Sequence, residues 1–433
     1  MSNDTLTVMP ESASQVSYWR AGLALPQIPS RPLPGSTDVV VVGSGYTGIS
    51  AALTLAEAGA GVVVLEAEEA GFGASTRNGG IVHPGLKLSL PELSRRYGVL
   101  GRELYAETVE GFHHLEDLIE TRRIKCDYRR TGHVLLAHHE RRASALRRAA
   151  MTYRLELQEE ARFLERAELK QEIGSDAYHG GLLVELSGAL HPGKFYAGLL
   201  NAALGAGVEV HEHTPLLDIR RTPSGQTVIL TPDGTMLAGR VLVATNGYTG
   251  QAFPELRRRI IPIGSFIVVT EPLQDDVVES LSPHGRSFFD TRNFLNYWRL
   301  LPDGRLLFGG RSSFAPTGIR EAGEILYHRV TSIHPEVSGV GIDYAWGGTV
   351  GFTFDRLPHT GRFGNVTYAM GYCGTGVALS TYLGSRCGSW LLGRRETSRF
   401  ARLPFPTAPF YHGSPWFLRP AGAYYQLRDR TGW

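Results

Sequence analysis

The chain has 433 residues, 42% of them apolar, and a formal net charge of +2. This length allows two or three domains with sizeable cores, and the near-neutral charge gives no electrostatic argument for nucleic acid or an acidic membrane surface as a partner. The three cysteines are widely spaced, and no run approaches the about 20 apolar residues that span a bilayer. The N-terminal segment MSNDTLTVMPESASQ has no apolar core. We therefore expect a cytoplasmic protein with reduced thiols, no metal site, no secretory signal and no membrane span.

The stretch DVVVVGSGYTGIS carries the strongest local pattern. Four valines, Val39 to Val42, predict a strand buried on both faces of a parallel sheet. The pattern G-x-G-x-x-G follows at residues 43–48, an alanine-rich helix is predicted over 49–58, and a second strand over 62–65 ends on Glu66. Glycines allow the tight turn and the close approach of backbone to a pyrophosphate, and the helix N-terminus attracts its charge. Glu66 is placed to bind a ribose, so we predict a dinucleotide site.

Around this unit the first half of the chain is predicted to alternate between loops and charged helices. Residues 1–36 are expected to form a polar, proline-containing arm, with Tyr18 and Trp19 as anchors on the body. The segment GFGASTRNGG at 71–80 contains four glycines, which favours loop backbone that lies against a flat or anionic ligand. Residues 90–175 are predicted to form helices with solvated charged faces around one strand at 130–137.

The second half returns to mixed helices and strands. A helix is expected before a meander of short strands that ends in the turn Thr245-Asn246-Gly247. The segment GYCGTGV at 371–377 is a second glycine turn that opens a helix, and the last thirty residues are predicted to form an extended tail. The predicted bounds are helices at 192–206 and 378–392 and strands at 241–244, 257–270, 294–301 and 305–310.

These motifs, taken in order, resemble the flavin-dependent D-amino-acid-oxidase-like superfamily, which includes glycine oxidase and sarcosine oxidase. The Arg-Asn-Gly-Gly segment and the hairpin from Tyr297 to Arg311 are most similar to gamma-glutamylputrescine oxidase-type amine oxidoreductases. The resemblance implies an α/β fold, with a Rossmann-like FAD-binding domain of the glutathione-reductase/D-amino-acid-oxidase type interleaved with a mixed-sheet (α+β) substrate domain. The corresponding division is an arm at 1–36, an FAD-binding domain at 37–115, 181–254 and 336–433, and a substrate domain at 116–180 and 255–335.

The resemblance also implies FAD as the cofactor and assigns its contacts position by position. The first glycine turn would hold the pyrophosphate, and Glu66 with Ala67 the adenosine ribose. The turn from Gly374 to Val377 would present N–H groups to the flavin O2 end, where a helix N-terminus stabilises negative charge. The predicted cofactor-binding residues are Gly43, Ser44, Gly45, Tyr46, Thr47, Gly48, Glu66, Ala67, Gly73, Ala74, Ser75, Arg77, Asn78, Gly79, Gly80, Ile81, Leu216, Thr245, Asn246, Gly374, Thr375, Gly376 and Val377.

Two positions depart from the amino-acid oxidases of this superfamily. Those enzymes place a carboxylate-clamping arginine after a Trp-x-Gly-x pattern, where this chain has Thr349, and a second arginine in the C-terminal turn, where it has Cys373. A free α-amino acid thus loses its expected anchors, which favours an amine, for instance one with a distal acyl or carboxyl group. Some relatives attach flavin to a cysteine, so Cys373 keeps covalent attachment open as an alternative.

We expect an FAD-dependent amine oxidase. A hydride would pass from the C–N carbon to flavin N5, the imine would hydrolyse to a carbonyl compound, and O2 would be reduced to hydrogen peroxide. His83, Tyr297 and Arg299 are the predicted catalytic residues. A structural role for His83 and a structural ion pair for Arg299 remain the alternatives.

Other functions stay open at this point. One is an FAD-dependent dehydrogenase or demethylase of a secondary amine, amino acid or hydroxy acid with an acceptor other than O2. Another is a flavin-binding protein with a role in assembly or regulation. The basic clusters are interrupted by glutamates, so nucleic acid is not an expected partner. The expected partners are a small-molecule amine and O2.

Overall fold

The computed structural model describes residues 13–223, 225–311, 317–394 and 397–431, so predictions that concern residues 1–12 lie outside the described residues. The strands of the described residues are β1 Ser36–Val42, β2 Val62–Leu65, β3 Ile81–Val82, β4 His133–Leu136, β5 Ala161–Leu164, β6 Gly181–Val184, β7 Gly188–Ala189, β8 Glu209–His211, β9 Asp218–Arg221, β10 Thr227–Thr231, β11 Gly234–Val243, β12 Ile261–Pro272, β13 Ser287–Asp290, β14 Asn296–Leu300, β15 Arg305–Gly310, β16 Ile342–Phe352, β17 His359–Phe363 and β18 Val366–Met370. The α-helices are α1 Tyr46–Glu57, α2 Leu90–Tyr97, α3 Val99–Thr121, α4 Glu140–Thr152, α5 Arg166–Ile173, α6 Pro192–Gly205, α7 Pro254–Arg257, α8 Asp275–Leu281, α9 Ile319–Ile333, α10 Gly376–Leu391 and α11 Leu418–Thr431. Across these described ranges, no helix combines the length and the apolar character needed to cross a membrane.

The first sheet carries the N-terminal glycine pattern. Its strand order is β17-β18-β11-β1-β2-β8, and β9 and β10 extend it from β11. Parallel pairing joins β1 to β2 and β11, β2 to β8, and β11 to β18. The four valines from Val39 to Val42 are buried, as expected for a strand with both faces covered. Because the carboxyl ends of parallel strands lie on one edge, the turns after these strands meet there.

The second sheet is mostly antiparallel, with the order β16-β12-β15-β14-β13-β4-β6-β5. Its one parallel pair among the registers of the described strands is β13 with β4. Side chains alternate between its two faces. Phe288, Trp298 and Phe308 pack on one face with residues of α5 and α9 in a buried cluster. The alternate residues of the same strands, among them Tyr297 and Arg299, point to the opposite face.

Several segments differ from their sequence-based prediction. The strand predicted at 257–270 is strand β12, which begins later, at Ile261, and runs to Pro272, because Arg257 is the last residue of helix α7. The predicted extended tail ends in helix α11, where Pro420 lies in the first turn and is tolerated there. Strands β6 and β16 lie in the second sheet, although the predicted division placed both in the FAD-binding part. The division into domains stays a prediction.

The arm before β1 is bound to the loop that follows β2. Ser17 Oγ donates to the Thr76 carbonyl at 3.0 Å, and the Trp19 indole N–H donates to the Asn78 carbonyl at 2.6 Å. The Trp19 side chain is 1% exposed. Ser14 forms an isolated bridge with Tyr344 of β16, so the arm contacts the loop and the second sheet together.

Candidate cofactor and active site

Three turns converge at the carboxyl edge of the first sheet. Gly43 N–H donates to the Leu65 carbonyl at 2.8 Å, which ties the turn after β1 to the end of β2. Asn246 follows β11, and its side-chain oxygen accepts the Gly371 N–H, after β18, at 2.8 Å. The predicted cofactor residues at 43–48, 245–246 and 374–377 are therefore brought to one edge, as the parallel topology requires.

The glycine positions of the first turn leave no room for a larger side chain. Gly43 has φ of 98°, in the left-handed region that favours glycine. A Cβ atom at Gly48 would overlap the Gly43 carbonyl oxygen, and one at Gly45 would lie 3.0 Å from Ser75 Oγ. The Tyr46 N–H donates to the same Ser75 hydroxyl at 2.9 Å. The next N–H groups of α1 have no intrahelical acceptor, so the turn fits a pyrophosphate that approaches the backbone closely.

Glu66 is held at the end of β2, beside this turn. Its Oε2 accepts the Ser44 N–H at 2.9 Å and the Ser44 hydroxyl at 2.6 Å, and its Oε1 accepts the Glu68 N–H at 3.1 Å. A carboxylate fixed in this way keeps lone pairs for a ribose diol. Leu216, predicted to flank the adenine, is partly buried against the cluster that contains Val42 and Leu65.

The loop at 71–80 is folded by its own polar side chains. Asn78 Nδ2 donates to the carbonyls of Ala74 and Ser75 at 3.1 and 2.9 Å, and Asn78 Oδ1 accepts the Gly80 N–H at 2.8 Å. Arg77 donates to the carbonyls of Phe72 and Gly347. These two side chains shape the loop, and its glycine backbone remains as the surface that a ring can lie against.

The second sheet faces this loop with an aromatic wall. A Cβ atom at Gly79 would lie 2.7 Å from Cε2 of Tyr297, whose cross-strand neighbour is Phe289. The ring of Phe289 stacks on His133 with 4.6 Å between ring centres and lies 5.4 Å from the ring of His83. Of the predicted catalytic residues, Tyr297 and His83 thus belong to one continuous wall opposite Gly79.

Tyr297 and His83 of this wall are uncharged at neutral pH. Burial raises the pKa of Tyr297 to about 12 and lowers the pKa of His83 to about 4. His83 Nδ1 lies 2.7 Å from the Pro84 carbonyl, which can only accept, so the neutral ring carries its proton on Nδ1. Its Nε2 is then the acceptor.

Arg299 binds backbone rather than an ionic partner. Its Nε donates to the Gly79 carbonyl at 2.8 Å and its Nη2 to the Leu190 carbonyl at 2.7 Å. The guanidinium lies over the Trp19 ring, 5.2 Å from its centre, and burial lowers its pKa to about 10. No salt bridge to it occurs within the part of the chain that is described. Arg299 therefore positions the backbone of the loop at Gly79.

Cys373 lies in the C-terminal glycine turn, where its side chain is buried. The residue has φ of 54°, and its thiol donates to the Gly371 carbonyl at 3.2 Å. Burial raises the pKa of this thiol to about 11, so it is not a thiolate nucleophile at neutral pH. This geometry disfavours covalent attachment of a flavin.

Thr349, at the position of the missing arginine, donates its N–H to the Tyr248 hydroxyl at 3.1 Å.

Sequence reasoning missed three residues near the site: Phe289 and His133 of the wall, and Lys87 of the loop after β3. The strands SFFD and HVLL showed no period that assigns a face, because their orientation depends on pairing with strands distant in the chain. Lys87 was visible only as one of four lysines in the chain.

Over the described ranges, no group of three or more metal-ligating side chains is arranged to hold a metal ion.

Comparison with known proteins gives consistent matches. Residues 38–389 match the family model DAO, described as FAD dependent oxidoreductase. The chain is 35% identical over 402 residues to the gamma-glutamylputrescine oxidoreductase of Escherichia coli strain K12, covering 91% of this chain and 93% of that protein. It is 34% identical over 420 residues to the probable oxidoreductase OrdL of Rhizobium meliloti strain 1021, covering 93% and 96%. The solved glycine oxidase from Geobacillus kaustophilus has a TM-score of 0.74 at 22% identity, covering 87% of this chain and 99% of that one.

Proposed function

Because the chain belongs to the DAO family of FAD-dependent oxidoreductases, we propose that it oxidises the C–N bond of an amine and passes the electrons to O2, giving hydrogen peroxide. The resemblance, the α/β fold class and the cofactor predicted from the motifs are confirmed by the same matches. For a primary amine the balance is R–CH2–NH2 + O2 + H2O → R–CHO + NH3 + H2O2. FAD, when bound, supplies the two-electron oxidant for this reaction.

The observation that carries the proposal is the aromatic, uncharged wall opposite Gly79. The wall presents the aromatic rings of Tyr297 and Phe289 and the neutral imidazole of His83 to the glycine backbone of the loop at 71–80. Such surroundings disfavour the charged form of an amine, because burial in a low dielectric lowers the pKa of an ammonium group. A neutral amine has the lone pair that drives loss of a hydride from the neighbouring carbon, so the wall selects the reactive protonation state.

Other residues of the chain then have defined tasks. The glycine turn with Ser75 would hold the pyrophosphate, Glu66 the ribose, and the N-terminus of α10 the end of the cofactor that gains negative charge. Arg299 holds the Gly79 backbone in place against the second sheet. His83 Nε2 is available to accept a hydrogen bond from the substrate amine.

The proposed substrate class is an acylated aliphatic amine rather than an α-amino acid. The Escherichia coli relative is named for gamma-glutamylputrescine, which makes that compound the first candidate to try. The position where an arginine would clamp an α-carboxylate holds Thr349, whose backbone binds Tyr248. We also retain the cytoplasm as the proposed location of the protein, where its three buried thiols, Cys126, Cys373 and Cys387, would stay reduced.

The test is an anaerobic titration of the FAD-loaded protein. The visible flavin spectrum is recorded while gamma-glutamylputrescine, free putrescine, glycine, sarcosine and D-alanine are added in turn. We expect bleaching by the acylated amine, return of the colour when air is admitted, and one hydrogen peroxide per turnover. Colour that stays bleached in air but returns with an artificial dye would instead establish a dehydrogenase. Failure of every amine and amino acid to bleach the spectrum would refute the proposed function.

A further inference from the structure

We propose that Arg240, Arg362 and Arg394, together with Trp390, form a second binding site, which takes a multiply charged phosphate compound. The site lies at the end of α10 that is far from the C-terminal glycine turn, and it shares no residue with the candidate cofactor and active site.

The site is a surface cavity of about 330 Å³, lined by the four residues and by Leu391 and Gly393. Small-molecule sites typically have volumes of roughly 300–1,000 Å³, so the cavity has room for a compact ligand. Helix α10 begins at Gly376, beside the candidate cofactor site, and rises about 1.5 Å per residue. Trp390 therefore lies roughly 20 Å along the helix from that turn, and the cavity is a separate place on the molecule.

Strand pairing brings Arg240 of β11 and Arg362 of β17 to one face of the first sheet. Leu242 follows Arg240 by two residues and pairs with Thr367 of β18. Thr367 in turn pairs with Arg362, and paired or alternate residues share a face, so both arginines lie on the face of Leu242. Leu242 and Leu391 belong to one buried cluster, which shows that α10 covers this face. Both arginines are exposed, so they lie where that cover ends.

The end of α10 supplies the other side of the cavity. The guanidinium of Arg362 lies over the indole of Trp390, 4.8 Å from the ring centre. Gly393 has φ of 83°, a left-handed conformation that ends the helix, and the Arg394 N–H donates to the Ser389 carbonyl at 3.2 Å. This turn brings Arg394 to the same cavity as the arginines of the two strands.

The three arginines are not needed to cap α10. The N–H groups of Leu392 and Gly393 already donate to the carbonyls of Gly388 and Trp390, at 3.2 and 3.0 Å. The dipole of a helix places only about half a negative charge at its C-terminus. Three guanidinium groups therefore leave a charge of about +2.5 around the cavity.

Other exposed arginines that pack against this sheet have acidic partners. Arg220 of β9 pairs with Asp218 at 2.7 Å, and Arg31 lies 3.7 Å from Glu209 of β8. Among the residues that the structure describes, no carboxylate forms a salt bridge with the three arginines of the cavity. Cations that converge on a concave surface without acidic neighbours create a positive potential that attracts anions.

The charge and shape of the cavity favour phosphate over carboxylate ligands. A guanidinium group donates two parallel hydrogen bonds to a phosphate, and three such groups match a ligand with several negative charges. Pyrophosphate and the phosphate chain of a nucleotide carry this charge in one compact group, whereas a tricarboxylate spreads it over separated groups. The half-buried indole of Trp390 adds an aromatic surface on which a nucleotide base can stack and which pyrophosphate leaves unused.

The experiment is calorimetric titration of the full-length, FAD-loaded protein, in which the cofactor site is already filled. The probes are inorganic pyrophosphate, ATP and citrate, each at low and at high salt. We expect pyrophosphate and ATP to bind with a Kd of about 1 mM or tighter at low salt, and more weakly at high salt. Arg240→Gln, Arg362→Gln and Arg394→Gln should each raise Kd about tenfold. Arg362→Lys keeps the charge but loses the planar fork, so its Kd should lie between those of the native protein and Arg362→Gln.

The two phosphate probes distinguish the sources of the ligand. Tighter binding of ATP than of pyrophosphate, with the difference abolished in Trp390→Leu, would identify a nucleotide. Equal binding of the two probes would identify the phosphate chain alone as the group that the cavity recognises. Either result supports a phosphate site.

Arg95→Gln is the matched control, because Arg95 is an exposed arginine of α2 that forms no salt bridge in the described part of the chain. It should leave both Kd values unchanged, and FAD content and melting temperature show that each variant is folded. Weakening by Arg95→Gln equal to that by Arg362→Gln would mean that only overall charge matters, and the proposal would be wrong. Citrate binding as tightly as pyrophosphate would refute the phosphate class. Binding of a polyglutamate peptide without binding of either phosphate probe would assign the cavity to an acidic protein and overturn the proposal.

Discussion

The first sheet meets the candidate site with turns, whereas the second sheet meets it with a face of side chains. At the first sheet, Gly43 and Gly48 act through backbone shape, and the side-chain oxygen of Asn246 holds the backbone of the turn after β18. At the second sheet, Tyr297 and Phe289 act through rings that neighbour each other only because β13 and β14 pair in one register. The cofactor side therefore depends on local geometry, and the substrate side depends on long-range pairing.

This comparison predicts the largest effect for a change at the first turn. In Gly48→Ala the added methyl group overlaps the Gly43 carbonyl and crowds Val41, so the turn must open. We expect a loss of about 3 kcal/mol in FAD binding, or roughly a hundredfold in Kd, measured by fluorescence titration of the apoprotein. Gly205→Ala at the end of α6 is the control, because nothing lies within 4 Å of the new Cβ. Equal FAD affinity in the two variants would contradict the role of the turn.

The next effect tests the link between the two sheets. Arg299→Met removes the donors that bind the part-buried Gly79 carbonyl and the buried Leu190 carbonyl. We expect the free energy of unfolding to fall by about 2–3 kcal/mol and FAD to bind more weakly, as measured by denaturant titration and FAD retention. Arg162→Met, on the exposed edge strand of the same sheet, should change stability by less than about 0.5 kcal/mol. A variant of Arg299 that loses turnover while keeping full stability and FAD affinity would instead indicate a catalytic contact.

A smaller effect concerns protons on the aromatic wall. The pKa of His83 is about 4 in the folded protein and 6.5 in the unfolded chain, so between these values the unfolded state alone binds a proton. Stability should therefore fall as pH drops from 6.5 toward 4, and should not depend on His83 above 6.5. In His83→Gln, urea titrations at several pH values should show a slope reduced by up to about 1.4 kcal/mol per pH unit. A change in the pH dependence between 7 and 8 would mean that His83 titrates at a higher pH.

The smallest effect is expected at the periphery of the second sheet. Asp429 of α11 accepts the backbone N–H groups of Asn293 and Phe294 at 2.7 and 2.9 Å. Asp429→Asn keeps an acceptor but loses the charge, so we expect about 1 kcal/mol less stability and faster proteolysis within α11. Asp117→Asn, an exposed position on α3, is the comparison. Identical proteolysis of both variants would show that Asp429 does not fasten the helix.

The sequence predicts the two sides of the site unequally. The cofactor side can be predicted from the sequence because the glycines at 43–48 and Glu66 are close in the chain. Their spacing alone indicates a strand, a glycine turn and a helix, followed by a second strand that ends on an acidic residue. The aromatic wall cannot be predicted from the sequence, because His133 and Phe289 are far apart in the chain. They meet through strand pairing that no local sequence pattern indicates. Helix α11 was missed for a related reason: its helix-forming residues follow a proline-rich stretch, and its anchor, Asp429, finds its partners at 293–294.

Trp19 has a consequence for the order in which the protein assembles. Its indole binds the Asn78 carbonyl, and its ring meets Trp346 edge-on with 6.3 Å between centres. Trp346 is made more than three hundred residues after Trp19, so one of the surfaces that the arm packs against is translated long after the arm itself. During synthesis Trp19 therefore cannot reach its final environment until β16 has been made, so the arm completes its packing only after most of the described chain has been translated.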